Sequence, residues 1–183
     1  AFHREAVAVV VVEALQRLWR LLRAPDQARY QAELAPYVQR TSGQYVYRVK
    51  GRPATLEHLQ QIGGVLHRLL SELAADYGQE PVFQVAQRLL SDNFDLHATE
   101  VEPKANAQIS ASCLQSLDDL EATYREKAGR EYKGYVANLS QTCAPENLVQ
   151  LITSVQVAPN TTEDSALLAQ AVPALKARMA LET

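Results

Sequence analysis

Apolar residues recur at three- and four-residue spacing through most of the first ninety positions, which is the period of a helix with one buried face. Leu15, Leu18, Trp19 and Leu22 follow this spacing, but the run before them, Val7 and then Val9 to Val12, is β-branched and locally favours a strand. Read together, the two stretches predict one helix over roughly 3–23. Pro25 and Asp26 mark a restart, after which Tyr30, Leu34, Tyr37 and Val38 form a second apolar stripe that Pro36 is expected to distort. Thr41, Ser42 and Gly43 signal a turn. Tyr45, Tyr47 and Val49 then alternate with Val46, Arg48 and Lys50, predicting a short strand or extended arm that ends at Gly51, Arg52 and Pro53. From Thr55, an expected N-cap, Leu59, Ile62, Leu66, Leu69 and Leu73 trace a packed helix seam that ends at Gly78. Gly63 and Gly64 inside it each cost up to about 1 kcal/mol relative to alanine, so a close helix contact is expected there. Pro81 suits the first turn of a further helix carrying Val82, Val85, Ala86, Leu89 and Leu90.

Periodicity fades over 92–117, where Pro103, Asn106 and Ser110, Ser112 and Ser116 have the character of a connector. Beyond it the period changes to two. Tyr135, Ala137 and Leu139 alternate as a strand, and so do Val149, Leu151, Thr153, Val155 and Val157. The turn over 142–147 is short enough to force an antiparallel pair. Pro159 and Asn160 hand over to a helix capped by Thr161 or Thr162, with Leu167, Leu168, Ala171 and Leu175 as its stripe and a kink or new start at Pro173. The expected class is α+β, with a mostly helical region over 1–94, a connector over 95–117 and an α/β segment over 118–183.

Composition narrows the function classes. The chain has 183 residues, 47% of them hydrophobic, enough for one ordinary core or one core and a satellite. A net charge of -3 argues against gripping nucleic acid or an anionic membrane with the whole surface, so any contact with a polyanion is local. Cys113 and Cys143 have no disulfide or zinc spacing, which fits a reducing cytosol. The apolar run from Ala6 to Val12 is too short to span a bilayer. His3, His58, His67 and His97 are scattered, and no nucleophile elbow, Walker loop or dinucleotide fingerprint occurs. Arg17, Arg20 and Arg23 share a helical face that could meet phosphate, although a solvated face is the commoner role of such a row.

The C-terminal half carries linked motifs. Ser116-Leu117-Asp118-Asp119-Leu120-Glu121 runs through Tyr124-Arg125-Glu126-Lys127 into Tyr132-Lys133-Gly134-Tyr135-Val136-Ala137-Asn138-Leu139. Cys143-Ala144-Pro145-Glu146-Asn147, Gln150-Leu151-Ile152-Thr153 and Val155-Gln156-Val157-Ala158-Pro159-Asn160-Thr161-Thr162-Glu163-Asp164 follow in order. Over residues 110–183 this string resembles bacterial insertion-sequence transposases of the DDE type, and 41–50 and 56–78 are similar to the region preceding their catalytic core. The resemblance implies an RNase H-like fold, three antiparallel strands followed by a helix and a further strand. It also implies DNA transposition in the bacterial cytoplasm by two Asp and one Glu holding two Mg²⁺ ions, hard cations that prefer carboxylate oxygen.

In that family the second Asp and the Glu lie downstream of the segment matching Leu167–Leu175, so the chain is expected to be a fragment containing only the start of the RNase H-like domain and inactive alone. Asp118 and Asp119 match the family motif as catalytic metal ligands, with Asp95 as the alternative. Capping the turn before the strand is an equally open role for Asp118 and Asp119. Arg125, Lys127, Arg130 and Lys133 crowd the predicted hairpin as candidate contacts to transposon-end DNA, or as a solvated surface. The competing reading is a non-catalytic DNA-binding or assembly module derived from a transposase; a helix-turn-helix regulator is weaker. An unpaired sheet edge would invite self-association or a covering partner.

Overall fold

A computed structural model describes residues 2–38, 52–97 and 100–179, which form five α-helices and five strands, mixed helix and small antiparallel sheets of the α+β class. The turn and strand expected over 41–50 lie outside the described residues. The chain divides into two compact units, Ala1–Asp118 and Asp119–Thr183.

The first unit is built on four helices, α1 (Phe2–Leu21), α2 (Ala24–Val38), α3 (Arg52–Tyr77) and α4 (Pro81–Asn93). The β-branched run is helical because tertiary burial outweighs a local propensity of a few tenths of a kcal/mol per residue. Val7, Ala8, Val11, Val12, Leu15, Leu18 and Leu22 are all buried. α1 packs against α2, α3 and α4, so its apolar surface is wider than a single stripe. Pro36 sits in the last turn of α2 without ending it early. The carbonyl it deprives of a partner belongs to Ala32, an exposed residue that water can serve.

The seam of Leu59, Ile62, Leu66, Leu69 and Leu73 is buried as its spacing predicts, and Tyr77 extends it. α3 begins at Arg52, so Thr55 lies inside the helix and is not its cap. Tyr77 reaches the start of α2, where its hydroxyl donates to Asp26 Oδ2 and accepts the backbone N–H of Arg23. Of the two glycines, Gly63 is the one in close contact. A Cβ there would overlap the ring of Phe94, whereas at Gly64 it would meet nothing. Pro81 occupies the first turn of α4 as expected.

The stretch 95–117, expected as a connector, is integrated into this unit. Phe94–Leu96 (β1) pairs antiparallel with Val101–Pro103 (β2), and a short 3₁₀ turn covers Asn106–Gln108. Phe94, Val101, Leu114 and Leu117 enter the helical core. Asp92 Oδ2 accepts the N–H of Leu114 at 2.9 Å, and Arg17 Nη1 donates to the Leu117 carbonyl at 3.0 Å. Aperiodic spacing concealed this because each apolar side chain is aimed by a different turn.

His58 is buried on α3, and desolvation lowers its pKa from the ordinary 6.5. The unfolded chain therefore binds this proton more readily than the folded one. Between the depressed folded value and 6.5, stability rises with pH; its contribution is full above 6.5 and lost as pH falls below it. Thermal melts from pH 7.5 downward should decline across that window, and His58→Gln should flatten the decline.

The second unit is a meander of β3 (Thr123–Lys127), β4 (Arg130–Gln141) and β5 (Ile152–Pro159), followed by α5 (Asp164–Met179). β3 and β4 join through Ala128 and Gly129, both at positive φ (54° and 73°), the two-residue turn whose twist matches that of the flanking strands. α5 packs against β5 through Leu167 and Ala171, while Leu168 is exposed and Pro173 lies within one continuous helix. Asn160, buried after β5, joins the parts. Its Oδ1 accepts Thr123 Oγ1 at 2.7 Å, its Nδ2 donates to the Tyr132 carbonyl at 3.0 Å, and its N–H reaches the Gly134 carbonyl at 3.2 Å. Among the described residues no helix is long and apolar enough to cross a membrane.

Candidate nucleic-acid interface

Residues opposite one another in an antiparallel pair lie on the same face of the sheet. The register of the β3–β4 hairpin pairs Arg125 with Tyr132, Glu126 with Glu131, Lys127 with Arg130, and Tyr124 with Lys133. Two faces of unlike charge result. One presents Arg125, Lys127 and Arg130 around the exposed ring of Tyr132; the other presents Glu126 and Glu131, with Lys133 beyond them. Three of the four basic residues named from sequence are thus brought together, and Lys133 is set on the opposite face.

The three are not equivalent. Arg125 is half-buried and donates from Nη1 to the carbonyls of Asn160 (3.2 Å) and Thr162 (3.5 Å), which holds β3 against the β5–α5 connection. Lys127 stands 3.8 Å from Asp164, both side chains more than half exposed, a pair worth little in water and readily exchanged for another anion. Arg130 is exposed and has no ion pair among the described residues. Lys127 opposite Arg130 is a like-charge pair that the hairpin tolerates at some cost. An incoming phosphate between them would relieve it.

The carboxylates are arranged differently. Asp118 is bound by Arg17, whose Nη2 lies 2.8 Å from Asp118 Oδ1 and 2.6 Å from Glu13 Oε1. Burial alone would lower the Arg17 pKa, but its hydrogen bonds to Glu13 and Asp118 outweigh this and raise it. The guanidinium lines an open groove of about 620 Å³ with Val9, Val12, Glu13, Gln16, Arg20 and Asp118. Of the arginine row, Arg20 is exposed at this groove and Arg23 lies over the ring of Tyr77, 5.6 Å from its centroid.

Asp119 closes the turn before β3. Its Oδ1 accepts the N–H of Ala122 at 3.1 Å, the N–H of Glu121 at 3.3 Å and the hydroxyl of Tyr135 at 2.7 Å. The Tyr135 hydrogen bond, foremost, holds the Asp119 carboxyl below its ordinary value, and the same bond pushes the Tyr135 phenol up to about 12. Nothing in local spacing pointed to Tyr135 as the partner, sixteen positions away. Asp95 lies on β1 directly across from Glu102.

Hard divalent cations need several oxygen ligands converging at about 2.0–2.6 Å. Asp118 and Asp119 do not fit that requirement, the first being taken by a guanidinium and the second by three donors on one oxygen. Among the described residues no three His, Cys, Asp or Glu side chains come together as a metal-ligand set. No protein-family model, curated protein or solved structure matches the chain.

Proposed function

We propose that the chain belongs to the DNA-handling machinery of an insertion-sequence transposase, and that its second unit contacts the phosphate backbone of transposon DNA through the basic face of the β3–β4 hairpin. The observation that carries this reading is the register that gathers Arg125, Lys127 and Arg130 on one face and removes Glu126 and Glu131 to the other. A two-faced ribbon of this kind supplies a local cationic patch on a chain whose net charge is -3. Such contacts position a duplex without reading its sequence. In this reading β3, β4, β5 and α5 are the opening elements of an RNase H-like domain, whose expected order they follow. Transposition itself, with its Mg²⁺ ions, is assigned to the complete transposase in a bacterial cytoplasm, and no step of it to the described carboxylates.

Fluorescence anisotropy with a labelled duplex tests the proposal. Affinity should fall steeply between about 50 and 200 mM salt, the signature of counterion release. Reversing both Lys127 and Arg130 to Glu should lower the log–log salt slope by about two, one for each phosphate no longer neutralised. Lys133→Glu, on the opposite face, should change the slope much less. Absence of binding at low salt, or an unchanged slope in the double variant, would overturn the proposal.

A further inference from the structure

The β4–β5 register sorts apolar residues as the hairpin sorts charge. Tyr135, Ala137 and Leu139 of β4 share a face with Val157, Val155 and Ile152 of β5. α5 packs against β5 on the other side, where Val136, Asn138, Gln156 and Ala158 are half-buried. The Leu139 face is bare: Tyr135 is 42% exposed, Leu139 59%, Ile152 63%, Val155 59% and Val157 66%. None of its six positions is charged. The adjoining loop adds Leu148, Val149 and Leu151, each at least 60% exposed.

From this geometry we infer that the Leu139 face is the interface between two copies of the chain, packed sheet on sheet about a two-fold axis. Area is the first argument. A stable dimer buries roughly 800 Å² on each partner. Eight large apolar side chains, each offering roughly 100 Å² at the usual transfer coefficient, supply area of that order, more than a typical monomer leaves exposed in one patch. Geometry is the second argument. Pairing two copies edge to edge through β5 would satisfy backbone groups but leave Leu139 and Tyr135 of the central strand in water, whereas face-to-face packing covers both. The third is complementarity. An uncharged, flat, apolar face carries no pattern that selects an unlike partner, but it matches itself under a two-fold axis, with the two sheets about 10 Å apart and their strands near 30°. A lipid surface is disfavoured by Glu126 and Glu131, which flank this face at the hairpin end and would meet anionic headgroups. The dimer does not depend on the DNA contact. It uses the opposite face of the same sheet and leaves both basic ribbons outward.

Sedimentation equilibrium on the full chain over a wide concentration range provides the test. The expected result is a reversible dimer. Leu139→Lys should weaken it on the order of a hundredfold, because it sets a charge in the centre of the interface. Val155→Thr, which keeps the β-branched shape at an exposed strand position, should weaken it roughly tenfold and serves if the lysine variant fails to fold by circular dichroism. A wild-type chain that stays monomeric throughout, a dimer indifferent to both substitutions, or a monomer that instead binds neutral phosphatidylcholine vesicles would each overturn the inference.

Discussion

Phe94→Ala is expected to destabilise the first unit by about 3–5 kcal/mol, a large share of the total stability of a domain of this size. Phe94 is only 2% exposed and its ring occupies the notch that Gly63 leaves in α3. Truncation both forfeits the transfer of a large apolar side chain and leaves a cavity that two helices cannot close. The pair makes a stricter test than the single variant. Gly63→Ala gains up to about 1 kcal/mol of helix propensity but drives a methyl into the ring, and overpacking of that kind costs about 1–3 kcal/mol, so it should destabilise. Gly64→Ala gains the same propensity and meets nothing, so it should stabilise by about 0.5–1 kcal/mol. In the Phe94→Ala background, Gly63→Ala should turn neutral or stabilising, a coupling that a double-mutant cycle isolates. The only tryptophan, Trp19, lies on α1 and reports this unit by fluorescence during denaturant unfolding. Two glycine substitutions of the same sign would refute the packing argument.

Asn160→Ala should have the largest effect in the second unit, about 2–4 kcal/mol. The unit buries few large side chains, Leu167 and Ala171 among them, so polar closure decides more of its stability than apolar area does. Removing the amide strands the Thr123 hydroxyl and the Tyr132 carbonyl in a buried place, and each unsatisfied group costs about 1–3 kcal/mol. It also loosens the site to which Arg125 donates, so the basic face should lose order together with the fold. Amide hydrogen exchange localises the effect: protection should collapse along β4 and β5 while α1 and α3 keep theirs. Unchanged exchange in β4 would show that Asn160 does not hold the sheet.

The helices were legible because each repeats its apolar residues at a period the backbone itself imposes. α1, α2, α3 and α4 need only that period, a proline at the first turn and a glycine after the last. The alternation in β4 and β5 and the turn between them were legible for the same reason. Phe83 and Phe94 were not, although both are buried, since neither belongs to the periodic stripe read along the chain. The stretch 95–117 has no period at all, and its place in the first unit comes from Phe94 meeting Gly63, Leu114 meeting Asp92, and Leu117 meeting Arg17.

Candidate chemistry divides the same way. Residue types alone pointed to Asp118, Asp119 and a basic hairpin. They could not say that Asp118 would be bound to Arg17, 101 positions away, or that Asp119 would be bound to Tyr135. The sorting of Arg125, Lys127 and Arg130 from Glu126, Glu131 and Lys133 follows from a two-residue turn that sets the register, since a slip of one residue would mix the two faces. What the sequence determined by itself is therefore the local periods, the α+β class and the inventory of charged groups. Which groups face one another was decided only by the tertiary structure, because hydrogen-bond register and long-range packing are set between segments and have no period within either one.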